Sequence, residues 1–83
     1  MGSREKLIRR MRSIPADFTF EELVKVFRWA GFELVEKGGS HCYFINVAGD
    51  VFHTWRAHGR KENRAPKSDL RAAIRFLEQR RLL

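Results

Sequence analysis

The sequence predicts an α+β fold: a two-layer sandwich in which two helices cover one face of a three-stranded antiparallel sheet, preceded by a short N-terminal helix. Three observations carry this. Two segments repeat apolar residues at helical spacing behind start signals, one follows Met-Gly-Ser at the front, and the middle of the chain is β-rich with turn residues between short apolar runs. The order is therefore α, α, β, β, β, α, and stacking the helices on one sheet face builds one core and leaves the other face open.

Each element has its own warrant. "REKLIRRMRS", residues 4–13, carries Leu7, Ile8 and Met11 at helical spacing among basic residues and is stopped by Pro15, so it reads as a short amphipathic helix or a partly frayed arm. In "TFEELVKVFRWAG", Thr19 and Glu22 form the capping-box spacing that satisfies two orphan backbone donors. Phe20, Leu23, Val24, Phe27 and Ala30 then fall on one face, and Gly31 supplies a left-handed C-terminal position. "FELVE", "HCYFINV" and "DVFHTW" read as three strands, with "AGD" turning between the last two. "PKSDLRAAIRFLEQRR" opens on turn and cap residues and places Leu70, Ala73, Ile74 and Leu77 on one stripe.

Length and composition bound the rest. Eighty-three residues make a single domain, 1–83, because so short a chain buries only about 60 to 65% of its unfolded surface and cannot support two cores. Residues 4–13 form its N-terminal extension and 18–80 its core. Seventeen Lys and Arg against ten Asp and Glu leave a net charge of +7, which suits a polyanionic partner: nucleic acid, an anionic membrane surface or an acidic protein. Charge alone does not choose among them, and a solvated basic surface is the plain alternative. Cys42 is the only cysteine, so no intramolecular disulfide forms and a reducing cytoplasm is expected. No apolar run approaches the roughly 20 residues of a membrane span, and no apolar h-region opens the chain.

Chemistry concentrates in residues 36–60, "EKGGSHCYFINVAGDVFHTWRAHGR". Gly38 and Gly39 sit in the turn between the first two strands, where missing side chains let a phosphodiester approach; Ser40 adds a hydroxyl donor and Lys37 a charge. His41 opens the second strand. Cutting RNA without a metal needs a base for the 2′-hydroxyl proton and cationic donors for charge on phosphate, the attack yielding a cyclic phosphate. An imidazole, which titrates near about 6.5 in isolation, suits the base role. The bland reading is a hairpin turn followed by a half-buried histidine.

The element "GFELVEKGGSHCYFIN" after an amphipathic helix, followed by a strand, a histidine-containing basic loop and a C-terminal helix, resembles the HicA toxin family of type II toxin-antitoxin systems. The likeness spans roughly residues 18 to 80, and its most specific part is Gly39, Ser40, His41 and Phe44, which match that family's G-S-H-x-x-F element. The resemblance implies a small mRNA interferase with a fold like that of double-stranded-RNA-binding domains, in which His41 is catalytic. It implies metal-independent cleavage with no cofactor, and neutralisation by a HicB-type antitoxin that covers the site. The chain departs from the family in its roughly fifteen residues before Thr19. It departs again after the third strand, where a proline commonly stands beside a histidine and "HTWRAHGRKENRAPKSD" is found instead, leaving both His53 and His58 open for that position.

The remaining candidates carry two readings each. If Ala48 and Gly49 are the two loop residues of the second hairpin, Arg56 lies opposite His41 and could hold phosphate; a shift of one residue turns the third strand over. His58 is either a general acid or part of a solvated basic patch. Arg56, Arg60, Lys61, Arg64 and Lys67 form a phosphate track, an acidic-partner surface or a solvated face. His53 alternates with Val51 and Trp55, shares their face and reads as structural. A zinc site or a Cys-His pair built on His41 and Cys42 is disfavoured because adjacent strand residues point to opposite faces. Cys42 and Phe44 then face the core, whereas Tyr43 and Trp55 are stacking platforms for bases or packing residues. The functional expectation is an endoribonuclease toxin acting on mRNA; the alternative is a non-catalytic RNA-binding module.

Overall fold

The computed structural model describes residues 2–38, 41–55 and 64–83. It is a small α+β arrangement of three helices, α1 (Ser3–Arg12), α2 (Phe20–Trp29) and α3 (Lys67–Gln79), with three strands, β1 (Glu33–Gly38), β2 (His41–Ile45) and β3 (Val51–Trp55). The strands form an open antiparallel sheet in the order β1-β2-β3, and the element order is compatible with an α-β-β-β-α layout behind an extra helix.

Helix α2 starts where its sequence says it should. The Thr19 hydroxyl accepts from the Glu22 backbone N–H at 3.1 Å, and the Glu22 carboxylate accepts from the Thr19 backbone N–H at 2.9 Å. At the far end Gly31 takes a φ of 93°, which lets the Phe32 N–H reach back to the Phe27 carbonyl at 2.9 Å and close the helix. One face differs from the sequence reading: Val26 is buried and Val24 only partly so. The reason is that α2 touches both β1 and α1, so its apolar stripe is wider than a sheet contact alone requires.

Helix α1 is a docked element rather than a frayed arm. Met11 is fully buried, and α1 contacts both α2 and α3. Arg10 ties it down: its Nη1 donates to both Glu22 carboxylate oxygens at 2.9 and 2.8 Å, and its Nη2 to Asp17 Oδ1 at 2.9 Å. Arg12 pairs with Glu78 of α3. The return from α1 runs through Ile14 at a φ of 52°, a costly conformation for a β-branched residue that the surrounding packing enforces.

Glu22 thus serves both the cap and the α1 docking. Burial pushes its carboxyl up, but the Thr19 N–H and the Arg10 guanidinium outweigh this and hold it below the ordinary glutamate range. A carboxyl with a lower pKa folded than unfolded contributes stability that is complete above the unfolded value and is lost as pH falls through the folded one. Thermal melts across the acid range should therefore show a Tm decline that is shallower in Glu22→Gln, whose Tm is lower at neutral pH. An identical slope in both proteins rules this role out.

The core lies between the helices and one sheet face. Phe27 is its hub, stacked on Phe44 at 4.1 Å with planes 2° apart and set edge-on to Phe32 at 5.2 Å. Cys42, Phe44 and Thr54 point to this side; Thr54 meets Asp69 of α3 at 3.4 Å. Helix α3 buries Leu70, Ala73 and Leu77. Its approach is fixed by a bridge between Thr19 and Arg64 and by the Ala65 N–H donating to the Phe18 carbonyl at 2.8 Å. Among the described residues no helix is long and apolar enough to cross a membrane.

Candidate functional site

The hairpin joining β2 and β3 decides which side chains share the open face. Pairing begins at Ile45 with Val51 and runs through Tyr43 with His53 to His41 with Trp55. The connection is therefore Asn46–Asp50, not the two residues Ala48 and Gly49, and Val47 leaves the strand to become fully exposed. The side chain of Asn46 explains the longer turn. Its Oδ1 accepts from the Asp50 N–H at 2.8 Å and its Nδ2 donates to Asp50 Oδ2 at 3.1 Å, while the Gly49 N–H returns to the Asn46 carbonyl at 3.0 Å.

Arg80, just past α3, clamps the same turn through Asp50 Oδ1 at 3.1 Å. The Asn46 amide and then Arg80 hold the Asp50 carboxyl below its ordinary range. Asn46→Ala should lower Tm by about 4–8 °C, the loss of about 1 kcal/mol of net hydrogen bonding in a domain of this size. An unshifted melt would mean that the turn holds without the side chain.

Because partners in an antiparallel pair point the same way, this register puts His41, Tyr43 and Ile45 of β2 on one face with Val51, His53 and Trp55 of β3. Trp55, rather than Arg56, stands opposite His41, which corrects the expected phosphate partner. The face assignment of His53 with Val51 and Trp55 is as the alternation suggested. Its position on the diagonal from His41 follows from the five-residue turn, which the sequence pattern does not reveal.

That diagonal creates the site. His41 Nε2 lies 3.3 Å from His53 Nδ1, with the ring centroids 5.4 Å apart and the planes 17° from parallel. The nitrogens are closer than the centroids, so the rings meet at their edges through these two atoms. Trp55 flanks His41 at 4.9 Å between centroids, and Tyr43 flanks His53 at 5.7 Å. Lys37 places its Nζ 5.7 Å from the Tyr43 ring centroid, just before the irregular pairing that carries Gly38, at a φ of 100°, to His41. Cys42 turns the other way into the core, its Sγ 3.8 Å from the Thr54 carbonyl.

In a neutral imidazole pair one inner N–H donates to the other inner lone pair, and the two outer nitrogens are left with opposite character, one basic and one carrying a proton. His41 Nδ1 and His53 Nε2 are these outer atoms. The arrangement can therefore accept a proton at one end and release one at the other without a change of net charge.

Of the residues singled out by sequence, the structure brings His41, Lys37, Tyr43 and Trp55 onto one face and adds His53. Gly39, Ser40, Arg56, His58, Arg60 and Lys61 lie outside the described residues. Among the described residues no three His, Cys, Asp or Glu side chains gather as a metal site. Compared with protein-family models, with curated proteins and with solved structures, the chain matches none of them.

Proposed function

We propose that the protein is an endoribonuclease that cuts mRNA without a metal, with His41 as the base that takes the 2′-hydroxyl proton. The observation that supports this most directly is the exposed imidazole pair, His41 Nε2 to His53 Nδ1 at 3.3 Å. The net charge of +7 suits a polyanionic substrate, and Lys37 stands on the same face. The G-S-H-x-x-F element and the α-β-β-β-α order favour the more specific reading: a HicA-like toxin of double-stranded-RNA-binding-domain-like fold, working in the cytoplasm and neutralised by a HicB-type antitoxin.

In this mechanism His41 removes the 2′-hydroxyl proton, the 2′-oxygen attacks phosphorus, and the 5′-oxygen leaves with a cyclic phosphate behind it. The proton arriving at His41 Nδ1 pushes the Nε2 proton to His53 Nδ1, and His53 Nε2 releases its own to the departing oxygen. The pair ends with its tautomers inverted, and hydrolysis of the cyclic phosphate by the reverse path restores them.

The competing reading is an RNA-binding module that does not cut, favoured by the exposed aromatic Trp55 beside the pair. Incubating purified protein with a mixed mRNA in the presence of EDTA separates the two. The enzyme should cut, and a folded His41→Ala protein should not; intact RNA with the parent protein rules out the ribonuclease and leaves the RNA-binding module or a surface for an acidic protein partner.

A further inference from the structure

The open face presents a continuous row: Trp55 against His41, His41 joined to His53, His53 against Tyr43, and Tyr43 beneath Lys37. Resting on the ribonuclease reading, we infer that this face binds single-stranded RNA, one base stacked on Trp55, another on Tyr43, and the phosphodiester between them held over the His41–His53 pair.

Exposure argues first. Trp55 leaves 62% of its surface in water on a strand whose opposite face is packed, and among the described residues no helix covers it; its ring contact is with His41, which leaves most of the indole open to a ligand. Two aromatic rings placed on either side of the imidazoles define two base positions with the chemistry between them. Stacking requires bare π-faces, and in a duplex each base face is already covered by its neighbours, so this geometry selects unpaired strand. Charge suits an anionic backbone between the rings, and it is the two aromatic platforms rather than the charge that favour RNA over an acidic polypeptide. Among the described residues Lys37 places its ammonium beside the row, the imidazole N–H groups can donate to phosphate, and Glu33, the carboxylate paired across from Ile45, lies at the far end of the face from His41. The inference differs from shape recognition of a double helix, which reads grooves and backbone rather than base faces.

A 2′-O-methyl RNA oligonucleotide tests it, because it offers bases and phosphates but no nucleophilic hydroxyl. Its binding therefore stands or falls apart from cleavage, which the EDTA assay judges. Fluorescence anisotropy of the labelled single strand should weaken by about 5- to 150-fold in Trp55→Ala and again in Tyr43→Ala, whereas Trp55→Phe, which keeps a ring, should retain most of the affinity. The same oligonucleotide annealed to its complement should bind the parent less tightly and respond little to either alanine change. Equal affinity for single strand and duplex, or Trp55→Ala and Tyr43→Ala proteins that bind like the parent, would overturn the inference by placing the RNA elsewhere on the basic surface. Failure of the parent to bind any oligonucleotide would overturn it too, leaving the face as a cover for protein.

Discussion

Phe27→Ala is expected to remove most of the stability of the fold. The ring touches four others: Phe44 at 4.1 Å, Phe32 and Phe52 at 5.2 Å, and Phe76 at 6.2 Å between centroids. It is fully buried and links α2 to the sheet and to α3. Deleting such a side chain costs about 3–5 kcal/mol through lost transfer free energy and the cavity left behind. A domain of this length holds roughly 4–12 kcal/mol in total. The aromatic neighbours cannot collapse into the gap, because each is itself held by others: Phe76 packs on Phe32 and Phe52, and Phe20 on Phe44. Thermal melts followed by circular dichroism should show a Tm lower by more than about 12 °C. A shift of only a few degrees would mean that the cluster is not the centre of the core.

The second large effect concerns chemistry. On the proposed ribonuclease reading, His41→Ala and His53→Ala should each slow RNA cleavage by about 10²–10⁴-fold, and the double variant should be no slower than the worse of the two. Residues that act as one unit lose the whole function when either is removed, whereas independent contributors multiply their losses. Here the unit is the 3.3 Å contact between His41 Nε2 and His53 Nδ1, which couples the tautomers of the two rings, since only one of the inner nitrogens can carry the shared proton. Single-turnover rates on one RNA, with circular dichroism to confirm folding, provide the cycle. A His53→Ala protein that cuts like the parent reduces His53 to a neighbour and leaves His41 to work alone.

The helices were legible because their signals are local. Thr19 and Glu22 read as a capping box from their spacing, and the stripe Leu70, Ala73 and Leu77 from its period. The facing of Cys42 and Phe44 into the core followed from strand alternation and is what the structure has. What sequence could not supply was register. The stretch "VAGD" reads as a two-residue turn, yet the side chain of Asn46, one residue earlier, closes a five-residue loop instead. That difference replaces Arg56 with Trp55 across from His41 and carries His53 onto the diagonal. The docking of α1 was likewise hidden, because whether a basic amphipathic segment frays depends on a distant acceptor, here Glu22. Val26 escaped for the same reason, since a single-face pattern does not register contact on two sides.

The turn between Ile45 and Val51 has a meaning for how this chain can vary. Substitutions along β3 act one position at a time, but a slip of one residue in the β2–β3 pairing acts on the whole strand at once, because successive side chains alternate between faces. Such a slip would carry His53 and Trp55 toward the core and Phe52 and Thr54 toward water, abolishing the imidazole pair and the core contact together. The side chains that pin the turn, Asn46 and Asp50 with Arg80 behind them, are thus more constrained than Val47 or Ala48 between them, because they help to hold one register for core and open face alike.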